Sequence, residues 1–364
     1  MAKSAFGTVR RLPSGRYNAR IRVRGRQINV GSYATRREAA AAVAAAGAEA
    51  NGERVIDRTA GRQHVEVFAE RWWATRSGHR PSTRSRDRMV LDHDLLPFFG
   101  KVPVSEVTAA DVQAWVANLG TRLSPSSIRR AFTILDQLLD AAVDGALIIA
   151  NPAARTRLPR LDRPEMRFLT PAELESLADT IDTRYRAMVL TMAWATLRIG
   201  EAAGLRRADV DAVAGTLRVA NNLVEVSGRS HEGPPKTGAG RRAMTLPASV
   251  VAELGDHLRH HAARTYVFPH PDGGRLRAEE WRRLIWRPAV TAAGLAPLRV
   301  HDLKHTGVAL LAAAGVDPSE IARRAGHASV AFTYDRYGHL LPEVDKQAGA
   351  KLEALRSSTA VGGG

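Results

Sequence analysis

Apolar residues recur at helical spacing through most of this chain. Val65, Phe68, Ala69, Trp72 and Trp73 stand at i, i+3, i+4, i+7 and i+8, which predicts an amphipathic helix opening at Val65. Thr108 is placed to cap a helix over 109–119, and Ser124-Pro125 to open another through 142. Thr170-Pro171-Ala172-Glu173 combines an N-cap, a first-turn proline and an N3 glutamate, a strong helix start. The apolar run 188–194 reads as buried, and further helices are expected over 249–261, 278–290, 301–314, 318–324 and 342–355.

Two regions follow the two-residue period of strands instead. At the start, 9–12, a Pro13-Ser14-Gly15 turn and 17–24 read as a hairpin, with a third strand over 27–30 after Gly25. In the second strand Arg20, Arg22 and Arg24 share one face, and Ala19, Ile21 and Val23 the other. Thr35, with Glu38 three residues on, caps an alanine-rich helix to about residue 50. Later strands are expected over 216–219, 223–226 and 243–246. Polar residues 51–62 form a linker, and the proline- and arginine-rich stretch 151–164 a second connector. The expected architecture is therefore multidomain and mainly α with small β-sheets, divided as 1–62, 63–160 and 161–364.

Charge sharpens this picture. The 364 residues carry a net charge of +16, and residues 1–62 alone hold 13 Lys/Arg against 4 Asp/Glu. A clustered basic excess suits a polyanion, most simply nucleic acid, through phosphate neutralisation and counterion release. Arg76, Arg80, Arg84, Arg86 and Arg88 lie between the first two expected helices of the middle region, with only Asp87 among them as an acid. No cysteine is present, so disulfides, thiolate metal sites and a cysteine nucleophile are excluded. The first residues lack the apolar core of a signal peptide and no apolar run is long enough for a membrane span, so a cytoplasmic protein is expected.

Four stretches carry the candidate chemistry. They are Thr196-Leu197-Arg198-Ile199-Gly200-Glu201, Pro235-Lys236-Thr237, His301-Asp302-Leu303-Lys304-His305-Thr306, and Ala325-Gly326-His327 running on to Tyr334-Asp335-Arg336-Tyr337-Gly338-His339. Their order and spacing resemble the tyrosine recombinase (phage integrase) family, and the resemblance covers the whole chain. It implies a β-rich arm-type DNA-binding domain, a helical core-binding bundle and an α+β catalytic domain. It assigns catalytic roles to Arg198, Lys236, His301, Lys304, His327 and Tyr337, with Glu201 orienting Arg198 and Tyr334 as a rival nucleophile. Arg20, Arg22, Arg24, Arg80, Arg84 and Arg86 are the expected DNA contacts.

The residue types suit phosphodiester transfer. Fixed cations stabilise the charge that grows on the non-bridging oxygens, and arginine's planar fork matches two of them. A phenol with a pKa near 10 needs such neighbours to attack, and a positioned lysine can protonate the leaving 5′-oxygen. The covalent intermediate keeps the energy of the cut bond, so rejoining needs neither metal nor ATP and no cofactor is expected. His301 and His305 stand at i, i+4 without the glutamate of a zinc-binding HExxH pattern, so no metal site is expected.

Two positions depart from the family pattern. Lys304 replaces the usual arginine, losing the bidentate fork, and Thr196 stands where glycine is common, a change expected to alter local packing only. The resemblance further implies a homotetramer exchanging strands on double-stranded DNA at core and arm sites, with accessory DNA-bending and directionality proteins. Leu340, Leu341, Val344, Leu352 and Leu355 are spaced to dock a C-terminal helix on a neighbouring subunit. Lys304 also keeps open a sequence-specific DNA-binding protein with an impaired catalytic domain, and a relaxing topoisomerase using the same linkage is a third reading.

Overall fold

The computed structural model describes residues 7–23, 26–50, 60–161, 166–226, 228–235, 238–261, 265–340 and 352–353. Arg24, Lys236, most of the linker expected over 51–62, and the C-terminal helix expected over 342–355 apart from 352–353 lie outside the described residues. The chain forms two compact units, Met1–Arg163 and Pro164–Gly364.

The first unit opens with an antiparallel meander of β1 (Gly7–Arg11), β2 (Tyr17–Val23) and β3 (Arg26–Tyr33). The β1–β2 turn closes through Gly15, whose φ of 80° suits a residue without a Cβ. Helix α1 (Arg36–Ala50) starts at the expected capping box, in which Thr35 and Glu38 exchange hydrogen bonds of 3.2 Å. Ala19 and Ile21 are buried against Ala39, Val43 and Ala46 of that helix, while Arg22 is exposed and Arg20 half-buried on the opposite face.

A separate helical core follows in α2 (Val65–Thr75), α3 (Pro81–Val90), α4 (Leu96–Phe99), α5 (Ala109–Gly120) and α6 (Pro125–Asp144). Val65, Ala69, Trp72 and Trp73 are its buried stripe on α2. The arginine-rich stretch expected to lie between helices is itself largely α3, which is a correction. Its packing leaves no apolar signature: Arg84 and Arg88 lie over the Trp73 ring at 5.4 and 5.9 Å, and buried Asp87 pairs with Arg130 of α6. A π turn over Leu91–Leu95 follows, and the Asp94 carbonyl accepts a hydrogen bond from Trp115 Nε1 at 2.7 Å.

The second unit holds α7 (Pro171–Thr180), α8 (Thr183–Trp194) and α9 (Ile199–Ala203). Then come β4 (Val210–Asp211), β5 (Thr216–Val219), β6 (Asn222–Val226), β7 (Arg229–Gly233) and β8 (Arg242–Thr245). Strands pair antiparallel in the order β4-β5-β8, with β6–β7 a separate hairpin. Strand β7 escapes sequence reading because Arg-Ser-His-Glu-Gly has no apolar alternation. The remaining helices are α10 (Ala248–His260), α11 (Ala278–Trp281), α12 (Arg287–Ala292), α13 (Val300–Ala313), α14 (Pro318–Ala325) and α15 (Val330–Tyr337). The single helix expected over 278–290 is interrupted by a π turn at Arg282–Trp286.

Buried α8 and α13 run close together: a Cβ on Gly307 would fall 2.0 Å from the Ala193 carbonyl oxygen, so only glycine permits the approach. That contact sets the first turns of α13 beneath the 195–198 turn. Among the described residues no helix is long and apolar enough to cross a membrane.

Candidate active site

Arg198 caps α9, and Glu201 lies three residues on, within the helix. Its backbone N–H donates to Glu201 Oε2 at 3.0 Å and its Nη1 to Oε1 at 2.7 Å. Glu201 also receives Arg242 of β8, through Nη2 at 2.9 Å and Nη1 at 3.2 Å. Arg242 further donates to the carbonyls of Gly240 and Arg324. Burial alone would raise the Glu201 carboxyl. The Arg242 hydrogen bonds and the charges of Arg242, Lys304 and Arg198 outweigh it and hold the group down at about 2. One ionised carboxylate thus aims two guanidinium groups.

Helix α13 presents His301, Lys304 and His305 at i, i+3 and i+4 on neighbouring positions of one face. His301 is exposed, its imidazole held below the ordinary value by partial desolvation and by Lys304 and Arg198. Lys304 is 2 % exposed, and its ammonium donates to the Thr196 carbonyl at 3.2 Å and to the Ala325 carbonyl. Burial and the Arg198 charge push its pKa well down, against the pull of Glu201. In this arrangement Lys304 binds the 195–198 turn to the end of α14.

That end is built by Gly326, in the left-handed region at φ 61°, where a Cβ would meet Arg242 Nη1 at 3.1 Å and the Ala239 carbonyl at 3.3 Å. Ala239 therefore borders the turn at Gly326, while Lys236 lies outside the described residues. His327 is buried, and its Nδ1 shares a 2.8 Å hydrogen bond with Thr333 Oγ1. Burial and the Lys304, Arg198 and Arg242 charges lower its pKa to about 4.

Tyr337 ends α15 and is 1 % exposed, whereas its rival Tyr334 is exposed. The Tyr337 ring stacks on His327 at 5.9 Å between centroids and 8° between planes. Its hydroxyl hydrogen-bonds His305 Nδ1 at 2.5 Å. Burial raises the phenol to about 12, opposed by the Arg336 and Arg198 charges.

The structure thus brings Arg198, Glu201, His301, Lys304, His327 and Tyr337 into one neighbourhood. It adds His305, Arg242, Thr196 and Thr333, to which sequence reasoning gave no part in the chemistry. His305 was visible only as the i+4 partner of His301, and Arg242 only as a basic residue following Lys236. Among the described residues no group of three side chains is arranged to hold a metal ion. Of the expected DNA contacts, Arg80 and Arg86 are exposed on the first unit, and Arg84 leans on Trp73.

A phenol held among imidazoles, beside guanidinium groups aligned by one carboxylate, is an arrangement suited to the chemistry of tyrosine-type strand transfer. Comparison with known proteins agrees. The phage integrase family matches residues 167–343, and the phage integrase central domain matches residues 65–158. The prophage phiRv2 integrase of Mycobacterium tuberculosis is 31% identical over 293 residues, 79% of this chain and 77% of that protein. The integrase of Mycobacterium phage D29 is 31% identical over 278 residues, 72% of this chain and 71% of its own. The fold is similar to that of the Tn1549 transposon integrase in complex with a circular intermediate DNA, with a TM-score of 0.68 and 20% identity over 80% of this chain and 99% of that one. The chain belongs to the phage integrase family, and it is a site-specific recombinase of the tyrosine type.

Proposed function

We propose that this recombinase cuts a DNA strand by attack of Tyr337 Oη on a backbone phosphorus, leaving a 3′-phosphotyrosyl link that a second 5′-hydroxyl resolves. The observation that carries this reading is the Tyr337 hydroxyl, held by His305 within the neighbourhood of Arg198 and His327. Arg198, fixed by Glu201, supplies a planar fork to the non-bridging oxygens, and His301 and His327 add donors beside it. Lys236 protonates the leaving 5′-oxygen. Lys304, with its ammonium on two carbonyls, contributes its charge from beneath and keeps the Arg198 turn in place.

Double-stranded DNA is the partner of both units in this reading. Residues 1–62 act as an arm-type domain through the Arg20, Arg22 and Arg24 face, and residues 63–160 as a core-binding domain through Arg80, Arg84 and Arg86. Residues 161–364 carry the chemistry. Strand exchange then needs four copies on two duplexes, with accessory bending and directionality proteins shaping the arm sites.

A nicked duplex that loses the short 5′-terminal fragment after cleavage traps the covalent complex. Wild-type protein should form an adduct whose phosphotyrosine maps to Tyr337 by mass spectrometry, and Tyr337→Phe should form none. An adduct on Tyr334, or tight salt-sensitive binding with no wild-type adduct, would refute the reading.

A further inference from the structure

We propose that His305 is a catalytic residue, the base that receives the Tyr337 proton during attack and passes it outward past His301. The inference rests on the reading of Tyr337 as the nucleophile.

A buried phenol cannot give its proton to bulk water, so the receiving group must be a protein atom in contact with the oxygen. His305 Nδ1 makes that contact at 2.5 Å. The other candidates around the ring are otherwise engaged or cannot accept. His327 offers Tyr337 its stacked face, and its Nδ1 is committed to Thr333. Arg198 carries only donors, and the Lys304 ammonium is a donor spent on two carbonyls.

The next step outward is also present. The His301 ring meets His305 edge-on at 4.8 Å between centroids, and His301 is exposed. Phenol, buried imidazole and exposed imidazole therefore form a graded path from the core to solvent along one face of α13.

The chemistry balances. As Tyr337 Oη forms its bond to phosphorus, the O–H bond breaks and the proton moves to Nδ1 of neutral His305. The P–O5′ bond breaks, and the 5′-oxygen leaves with a proton from the separate acid, Lys236. Imidazolium at His305 then releases its Nε2 proton toward His301 and solvent. Rejoining reverses each transfer: the incoming 5′-hydroxyl loses its proton to the neutral amine of Lys236, and the phenol oxygen recovers one from His305. Burial keeps the His305 imidazole unprotonated, with a pKa near 4, so it stands ready as an acceptor. So weak a base holds the proton only while the oxygen–phosphorus bond is forming, which is why an outlet through His301 matters.

The test is single-turnover cleavage of the nicked duplex by full-length protein. His305→Gln keeps a polar group near the phenol but cannot take its proton, and should cleave roughly 100-fold more slowly with DNA affinity unchanged. Replacing Tyr337 with a fluorinated tyrosine of lower phenol pKa should recover at least about tenfold of the rate lost in that variant. If His305→Gln folds poorly, His305→Ala with added free imidazole makes the same comparison, and recovery supports the assignment. A His305→Gln rate within about twofold of wild type overturns it. So does a slow variant that responds to neither fluorination nor imidazole, since that marks a packing role. A covalent adduct surviving Tyr337→Phe would instead refute the nucleophile itself, so the two failures are distinguishable.

Discussion

Lys304 donates a hydrogen bond to the backbone carbonyl of Thr196, 3.2 Å away. The two positions at which this chain departs from its family's pattern are therefore in direct contact. Thr196 has φ 50°, a left-handed conformation that a β-branched residue rarely adopts, and its Oγ1 offsets the strain by donating to the Arg324 carbonyl at 2.8 Å. The threonine does more than alter local packing, as was expected of it. Its carbonyl faces the ammonium, and its methyl lies 2.9 Å from where a Cβ on Gly307 would stand.

Contact between these departures predicts coupling. Lys304→Arg puts a larger head group into a filled site and should cost about 1–3 kcal/mol. In a Thr196→Gly background, where the backbone can relax, that cost should shrink by at least about 0.5 kcal/mol. Denaturant unfolding of the four proteins measures the cycle, and strictly additive changes would show that the two sites are independent.

Glu201 compensates a buried arginine whose side chain is only 1% exposed, so removing either partner strands a charge. Arg242→Ala should lower stability by about 3–5 kcal/mol. It should also slow cleavage, because Glu201 then aims Arg198 alone. A variant with unchanged denaturation midpoint would mean that the pair is not structural. Glu201→Gln should show the same direction, since the amide cannot neutralise Arg242.

Acid should destabilise the second unit in two stages. Burial above all, and neighbouring basic groups after it, lower His257, His305 and His327 from 6.5 to about 4 in the folded chain. The unfolded chain therefore binds more protons between those values, and stability falls as pH drops from about 6.5 toward 4. The loss is on the order of 2 kcal/mol per imidazole once solvent screening at the edge of the site is allowed for. Glu201, folded at about 2 against 4.5, stabilises above 4.5 and loses its contribution only as pH falls below that toward 2. Unfolding curves taken from pH 7 down to pH 3 test this, and a flat profile between 7 and 4.5 would contradict the neutral buried state of the histidines.

Phosphate contacts from the first sheet should appear in the salt dependence of binding. Replacing Arg20 and Arg22 together by alanine should reduce the slope of log affinity against log salt by about 2, since each contact releases close to one counterion. The measurement is a titration of arm-site DNA at several salt concentrations. An unaltered slope would remove this face from the DNA interface.

Much of the fold was legible because local rules and burial agreed. The N-caps at Thr35, Thr108 and Thr170 lie where the sequence placed them. Helix α2 was read from its apolar period and α6 from its Ser124-Pro125 start. Helix α3 was not, because it packs through guanidinium groups on tryptophan faces and one buried aspartate. Strand β7 was not, because a polar strand is specified by its partner β6 and not by its own alternation.

By itself the sequence determined the mainly helical architecture, the family and the ordered set of basic and phenolic residues, since these depend on residue type and spacing along the chain. Only the tertiary structure decided what each of those groups touches. It placed Glu201 between two arginines, turned Lys304 inward onto carbonyls, and set His305 against the Tyr337 oxygen. These contacts join residues up to 108 positions apart, and their strength comes from burial, where an unpaired charge or proton donor is costly. Burial is a property of the packed chain, and no pattern along the sequence records it for a single polar side chain.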